Sequence, residues 1–218
     1  RGGPGEELMA ESLFGPDAFP TRDAPILLDS DQLGSSTDLE RVVEHLSHYP
    51  GDDPEQRVIR DRMLAFARTH PDALHRTCIP GHFTASALVV ERGSERFVML
   101  HHTKLRRWLQ PGGHVDGSSN MPAAALREAT EETGIDGLQV ALPPIDLDIH
   151  RVEPPGEPAH DHLDIRFLVL APPGSRLAPN HESTDMRWVT MSDLDSLDAD
   201  LGIHRLARTG LLMSERFA

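Results

Sequence analysis

The chain has 218 residues, enough for one medium domain with an appendage and a buried core. Its 21 Lys and Arg stand against 35 Asp and Glu, a net charge of −14, which argues against non-specific nucleic-acid binding and against anionic membranes, since both need a basic surface. Cys78 is the only cysteine, so no internal disulfide forms; no apolar run reaches the roughly 18 residues of a membrane span and no signal-peptide pattern opens the chain, so a soluble, cytoplasmic protein is expected.

Residues 1–37 are rich in Gly, Pro, Ser and Asp, and read as an extended N-terminal arm. Ile26-Leu27-Leu28 is the expected anchor, either on the chain's own body or on a second subunit, and these apolar spots leave a homodimer open. A helical extension then spans 38–78. Thr37-Asp38-Leu39-Glu40 has the form of a capping box, and Leu39, Val42, Val43 and Leu46 follow at helical spacing. A second helix is predicted from Asp53-Pro54, with Val58, Ile59, Met63, Leu64 and Phe66 apolar, ending at His70-Pro71. His45, His48, His70 and His75 read as surface or cap residues.

From residue 79 to 218 the pattern is that of a mixed α/β domain. Phe83–Val90 and Phe97–Leu100 read as a hairpin around Arg92-Gly93-Ser94. Ile145, Leu147 and Ile149 alternate with Asp146, Asp148 and His150, and a second alternating run carries Leu163, Ile165, Phe167 and Val169. A last strand is predicted at Met186–Val189, then a short helix capped by Ser192 and a C-terminal helix over Leu201–Glu215. Helices interleaved with strands suggest a mixed sheet covered on both sides.

The stretch from Gly112 to Ile135 organises the rest. A glycine pair and a polar loop lead into a helix ending on Arg127-Glu128-Ala129-Thr130-Glu131-Glu132-Thr133-Gly134. At about 100° per residue, Glu128, Glu131 and Glu132 share an arc of roughly 100°, while Pro122, Leu126, Ala129 and Thr133 face the other way, toward a core. Like charges at these spacings cost roughly 0.2–0.5 kcal/mol per pair unless something neutralises them. A bound hard cation reverses that sign; a plain solvated acidic face is the alternative.

This stretch resembles the Nudix box, G-x5-E-x7-R-E-U-x-E-E-x-G-U with U a bulky apolar residue. Gly113, Arg127, Glu128, Glu131, Glu132, Gly134 and Ile135 match in register. The first glutamate of the pattern falls on Ser119, and the apolar position after Arg-Glu is the small Ala129. The resemblance covers about Gly81 to Ser196. It implies an α/β/α Nudix fold and a Mg²⁺- or Mn²⁺-dependent hydrolase that cleaves the diphosphate linkage of a small molecule of the nucleoside diphosphate-X type. Octahedral Mg²⁺ takes a few carboxylates, waters and phosphate oxygens. The implied ligands are Glu128, Glu131, Glu132 and the Gly113 carbonyl, with Arg127 orienting the carboxylates. Glu128 and Glu131 also carry the catalytic role.

Asp116 is the candidate to replace the carboxylate absent at Ser119. Glu182 is the first candidate for a general base, ahead of Asp164 and Asp185. His160, His162, Asp164 and Arg166 share one strand face, with His150 opposite on a neighbour. Either this is a wet polar face, or it lines the substrate cleft with His162, Asp164 and Arg166 as substrate contacts. A zinc site ranks below both, because no closed four-ligand spacing is present. The basic run His101–Arg107 either offsets substrate charge or is an exposed loop. Two other readings stand beside hydrolysis: a Nudix-fold ligand-binding or interaction module whose catalysis is impaired by Ser119, and an isoprenoid diphosphate isomerase, for which Cys78 is poorly placed. Sugar nucleotides, NAD-like dinucleotides, dNTPs and ADP-ribose all fit the sequence as substrates.

Overall fold

Apolar residues at alternate positions, Phe83 to Val89 and Leu163 to Val169, build the two longest strands, which pair side by side and in parallel in the middle of the sheet. The computed structural model describes residues 20–49, 51, 53–103, 105–154, 156–178 and 183–218. In chain order the elements are β1 (Ile26–Leu28), α1 (Glu40–Ser47), α2 (Pro54–Thr69), β2 (Gly81–Glu91), β3 (Phe97–His102), β4 (Trp108–Leu109), β5 (Gly112–His114), α3 (Met121–Thr133), β6 (Gln139–Leu142), β7 (Asp146–Val152), β8 (His160–Ala171), β9 (Ser183–Val189) and α4 (Leu201–Ser214). Among the described residues nine strands form one mixed sheet with the path β1-β6-β8-β2-β3-β4. β2 and β8 are its parallel spine, in register from Gly81 opposite Asp161 to Glu91 opposite Ala171. β5 and β7 extend the spine's polar end, pairing antiparallel with β2 and β8 respectively.

Strand alternation sorts the side chains into two layers. On one face Phe83, Ala85, Ala87 and Val89 of β2 join Leu163, Ile165, Phe167 and Val169 of β8. Leu46 of α1, Met63 of α2, and Met121, Ala125 and Ala129 of α3 pack on them. The helical pair therefore shares the core of the sheet. Burying each large apolar side chain here stabilises the fold by about 1.5–3 kcal/mol. On the other face Leu88, Val90, Leu168 and Leu170 are covered by Ile203, Leu206, Ala207 and Met213 of α4. Gly210 lets that helix lie close: a Cβ there would come within 2.3 Å of a Leu88 methyl. The layers are α/β/α.

Several local expectations change. The Thr37 capping box does not form; Leu39 precedes α1 in the helical region, and Asp38 Oδ1 accepts from the Glu40 N–H at 3.0 Å. α2 starts as its sequence suggests, with Asp53 accepting from Glu55 N–H and Pro54 at the first position. Thr190, not Ser192, caps the 3₁₀ turn Met191–Leu197. Ile26–Leu28 pairs antiparallel with β6, Ile26 opposite Leu142, so the arm's apolar triplet docks on the chain's own sheet. Residues 1–19 lie outside the described residues.

Candidate active site

Asn120 opens α3, its Oδ1 accepting from Ala123 N–H at 3.2 Å, and Gly134 closes it in the left-handed region at φ 65°. The buried side of the helix places Pro122, Ala125, Ala129 and Thr133 in the core. Its three glutamates are not equivalent. Glu132 is buried, and its Oε2 accepts from the Gly112 N–H at 2.9 Å. The Glu128 side chain is 14 % exposed and lies under Gly113, where a Cβ would stand 2.7 Å from the carboxylate. Glu131 points outward, with its side chain 58 % exposed. The acidic arc is thus only partly solvated: two carboxylates are pressed against the Gly112-Gly113 strand.

Arg127 ties this group together. Its Nη1 sits 2.8 Å from Glu128 and 3.4 Å from Glu131, and its Nη2 donates to the His114 carbonyl at 2.9 Å. Helix and glycine strand are therefore cross-linked by one guanidinium. Three carboxylates gathered around Arg127 present hard oxygen donors. That donor set, and the space kept clear by Gly113, fit Mg²⁺ or Mn²⁺.

The box's first-glutamate position has a different environment. Ser119 is fully buried, its N–H donates to the Ser36 carbonyl at 2.8 Å, and its hydroxyl has no hydrogen-bond partner. Next to it Asn120 donates to the Gly34 carbonyl at 2.6 Å. The segment before α1 thus covers the loop–helix junction. Asp116, at φ 50°, is exposed and paired with Arg76 at 3.3 Å. Glu182 lies outside the described residues. Asp185 pairs with Arg187 on its own strand. In the basic run, His101 meets Thr184 Oγ1 at 2.7 Å and Arg107 lies 3.5 Å from Asp200.

On the α4 side, the sheet face beyond the apolar half is polar. Arg166 is buried, with Nε donating to Asp164 at 2.8 Å, Nη1 to Asp146 at 3.2 Å and Nη2 to Asp148 at 3.0 Å. Asp164 also accepts from the hydroxyls of Thr84, at 3.0 Å, and Ser86, at 2.8 Å. Arg205 reaches down from α4 to Asp146 at 2.6 Å. Burial alone would lower the Arg166 pKa, but Asp164, Asp148 and Asp146 together raise it. Burial likewise pushes Asp148 up, yet its bond to His150 and the charge of Arg166 hold it down at about 2. For Asp146 burial prevails over Arg205, and its pKa is raised. Asp164 and Arg166 thus sit together inside a closed network, whereas His162 lies farther along the same face at its open end.

That open end holds a residue group that sequence reasoning assembled only in part. His82 of β2 stands opposite His162 of β8, which stands opposite His150 of β7. His114 of β5 and His160 complete the cluster, with ring centroids 4.8–5.4 Å apart between neighbours. The missing signal was the polar alternation His82, Thr84, Ser86 within a run that reads as apolar. Gly112-Gly113-His114 was likewise missed as a strand, since two of its three residues have no side chain to mark a face.

The three layers thus carry a glutamate-bearing helix against a glycine strand of the sheet. A family model for the NUDIX domain matches residues 81–208, more than half of the chain, and the chain belongs to that family. The match runs past Ser196 into α4. No curated protein matches the chain in sequence. Among solved structures, a NUDIX family hydrolase from Clostridium perfringens is 22% identical with a TM-score of 0.49, covering 63% of this chain and 98% of its own. An Ap4A hydrolase from C. elegans is 20% identical with a TM-score of 0.48, over 58% of this chain and 93% of its own. The E. coli dihydroneopterin triphosphate pyrophosphohydrolase is 17% identical with a TM-score of 0.48, over 60% of this chain and 94% of its own.

Proposed function

We propose that this chain is a Mg²⁺- or Mn²⁺-dependent hydrolase of the diphosphate linkage in a small molecule of the nucleoside diphosphate-X type. The observation that carries the reading is the pair Glu128 and Glu132, one helical turn apart and both against the Gly112-Gly113 strand. Glu128, Glu132, the Gly113 carbonyl and the outward Glu131 would hold the metal. When bound, the ion neutralises phosphate charge and lowers the pKa of a coordinated water.

The chain's own residues supply positioning. Arg127 fixes the direction of Glu128 and Glu131, and its bond to the His114 carbonyl sets the distance between helix and strand. Gly112 N–H orients Glu132 against the glycine strand. Glu131, exposed beside them, is positioned to accept a proton from an attacking water. We assign Asp164 and Arg166 to the frame beneath the site rather than to substrate contact, since all three Arg166 nitrogens are engaged by carboxylates.

The test is a hydrolysis screen of diphosphate-containing metabolites with Mg²⁺ or Mn²⁺, following release of phosphate or nucleotide. Turnover of at least one nucleoside diphosphate derivative, abolished by chelation, is the expected result. The buried Ser119 favours one second reading, a ligand-binding module with impaired catalysis. Tight ligand binding with no hydrolysis anywhere in the screen would select it.

A further inference from the structure

We propose that His82, His160 and His162 form a second metal site, separate from the glutamate helix and suited to Zn²⁺ or a related imidazole-seeking ion. One ligand atom from each of the three lies within 4.8 Å of the others. Tetrahedral zinc with bonds of about 2.0 Å places its nitrogen ligands roughly 3.3 Å apart, so small ring rotations close the shell. All three sit on the sheet face that α4 only partly covers, at the opposite end from its apolar contacts.

Three observations point to a cation. First, His82 is 1 % exposed, and neither of its ring nitrogens makes a hydrogen bond of good geometry; the Cys78 backbone offers only a marginal one. An unsatisfied buried polar atom costs about 1–3 kcal/mol, and such atoms in a native fold call for a partner. Second, His160 Nδ1 lies 2.8 Å from the Pro158 carbonyl, which fixes the proton on Nδ1 and leaves the Nε2 lone pair free to ligate. A carbonyl behind a ligating histidine is the usual support of zinc sites. Third, His82 and His162 are held neutral. Burial, then the neighbouring rings, lower His82 to about 4, and burial with His150 and His82 lowers His162 to about 2. Neutral rings in contact are a ligand set awaiting charge.

The surroundings define what kind of site it is. Three histidines leave a tetrahedral ion one open position, the arrangement of reactive zinc sites and not of closed structural ones. This explains why no four-ligand spacing marks it in the sequence. His114 is the next ring, its centroid 5.0 Å from that of His82 and 5.4 Å from that of His162; its Nδ1 accepts from Arg76 at 3.2 Å, so its Nε2 carries the proton and can donate a hydrogen bond. It also follows Gly113 directly, and its carbonyl is bonded to Arg127, so the two metal sites are joined through two consecutive residues. Mg²⁺ belongs to the glutamates and has little affinity for imidazole.

Zinc binding to the chelator-stripped full chain, measured by calorimetry with excess Mg²⁺ present, tests the assignment. One Zn²⁺ per chain is expected, retained in E128Q and weakened at least about 100-fold in H160Q and H162Q. Zinc-edge absorption of the wild-type complex is expected to report imidazole nitrogens, a readout independent of any variant's folding. No zinc uptake by the wild type, an all-oxygen shell, or loss of the zinc in E128Q would overturn the proposal. These outcomes leave hydrolysis at the glutamate site untouched, so failure here is distinct from failure of that reading.

Discussion

Replacing Arg166 with Met separates a structural from a substrate-binding role. The substitution keeps the volume of the side-chain stem but leaves Asp164, 2 % exposed, without its cation and Asp146, 1 % exposed, with one cation fewer. Arg205 still holds Asp146, and the Thr84 and Ser86 hydroxyls still hold Asp164, so the loss is partial. Removing one partner from a buried ion pair costs about 3–5 kcal/mol. Total stability for a domain is only about 5–15 kcal/mol, so this is a large fraction. For a chain of this size, each kcal/mol moves Tm by about 2–4 °C, giving a drop of roughly 6–20 °C. Thermal and urea melts measure that drop, and steady-state kinetics below the new Tm measure catalysis. KM should stay within about threefold of wild type. An unchanged Tm with a KM raised by tenfold or more would refute the reasoning and return Arg166 to the substrate cleft.

Two further outcomes follow from other buried groups. His82 has an ordinary pKa of 6.5 and a folded value of about 4, so between these the unfolded chain binds more protons. In the absence of transition metal, stability should therefore fall as pH drops from 6.5 to 4, by about 1–3 kcal/mol from this group. H82Q should flatten that part of the profile, and an identical slope in wild type and H82Q contradicts the assignment. S119E should not restore activity lost to the missing box glutamate. Ser119 is fully enclosed, so the larger acid should destabilise the fold by about 2–6 kcal/mol, read by urea titration. A stable S119E with faster turnover would show that its side chain reaches the metal.

Much of the fold was legible because hydrophobic period and burial coincide. Leu163, Ile165, Phe167 and Val169 alternate in sequence and all point into one core. The short edge strands were not legible. Ile26–Leu28 becomes a strand only because β6 offers it an edge, and β6 itself has four residues. Local sequence carries little information when a distant partner supplies the hydrogen bonds. At the site, the spacing of Glu128 and Glu132 placed both on one side of α3. It did not reveal that Glu132 is buried on a Gly112 N–H, because that depends on where a side-chain-free strand packs. The histidine cluster illustrates the same limit across elements. His160 and His162 are neighbours in sequence, but His82 and His114 reach them only through the pairing of β2 with β8 and β5.

The central claim is that Glu128 and Glu132 hold the ion that drives hydrolysis. Gln preserves size at both positions and, at 132, an oxygen able to accept the Gly112 N–H bond, so both variants should stay folded with melting curves close to wild type. Mg²⁺-dependent turnover of the best substrate from the screen, measured in E128Q and E132Q at saturating substrate, is the direct test. A loss of kcat on the order of 10²–10³ or more, with fold retained, is the expected result. Turnover equal to wild type in both folded variants would contradict the assignment of the site.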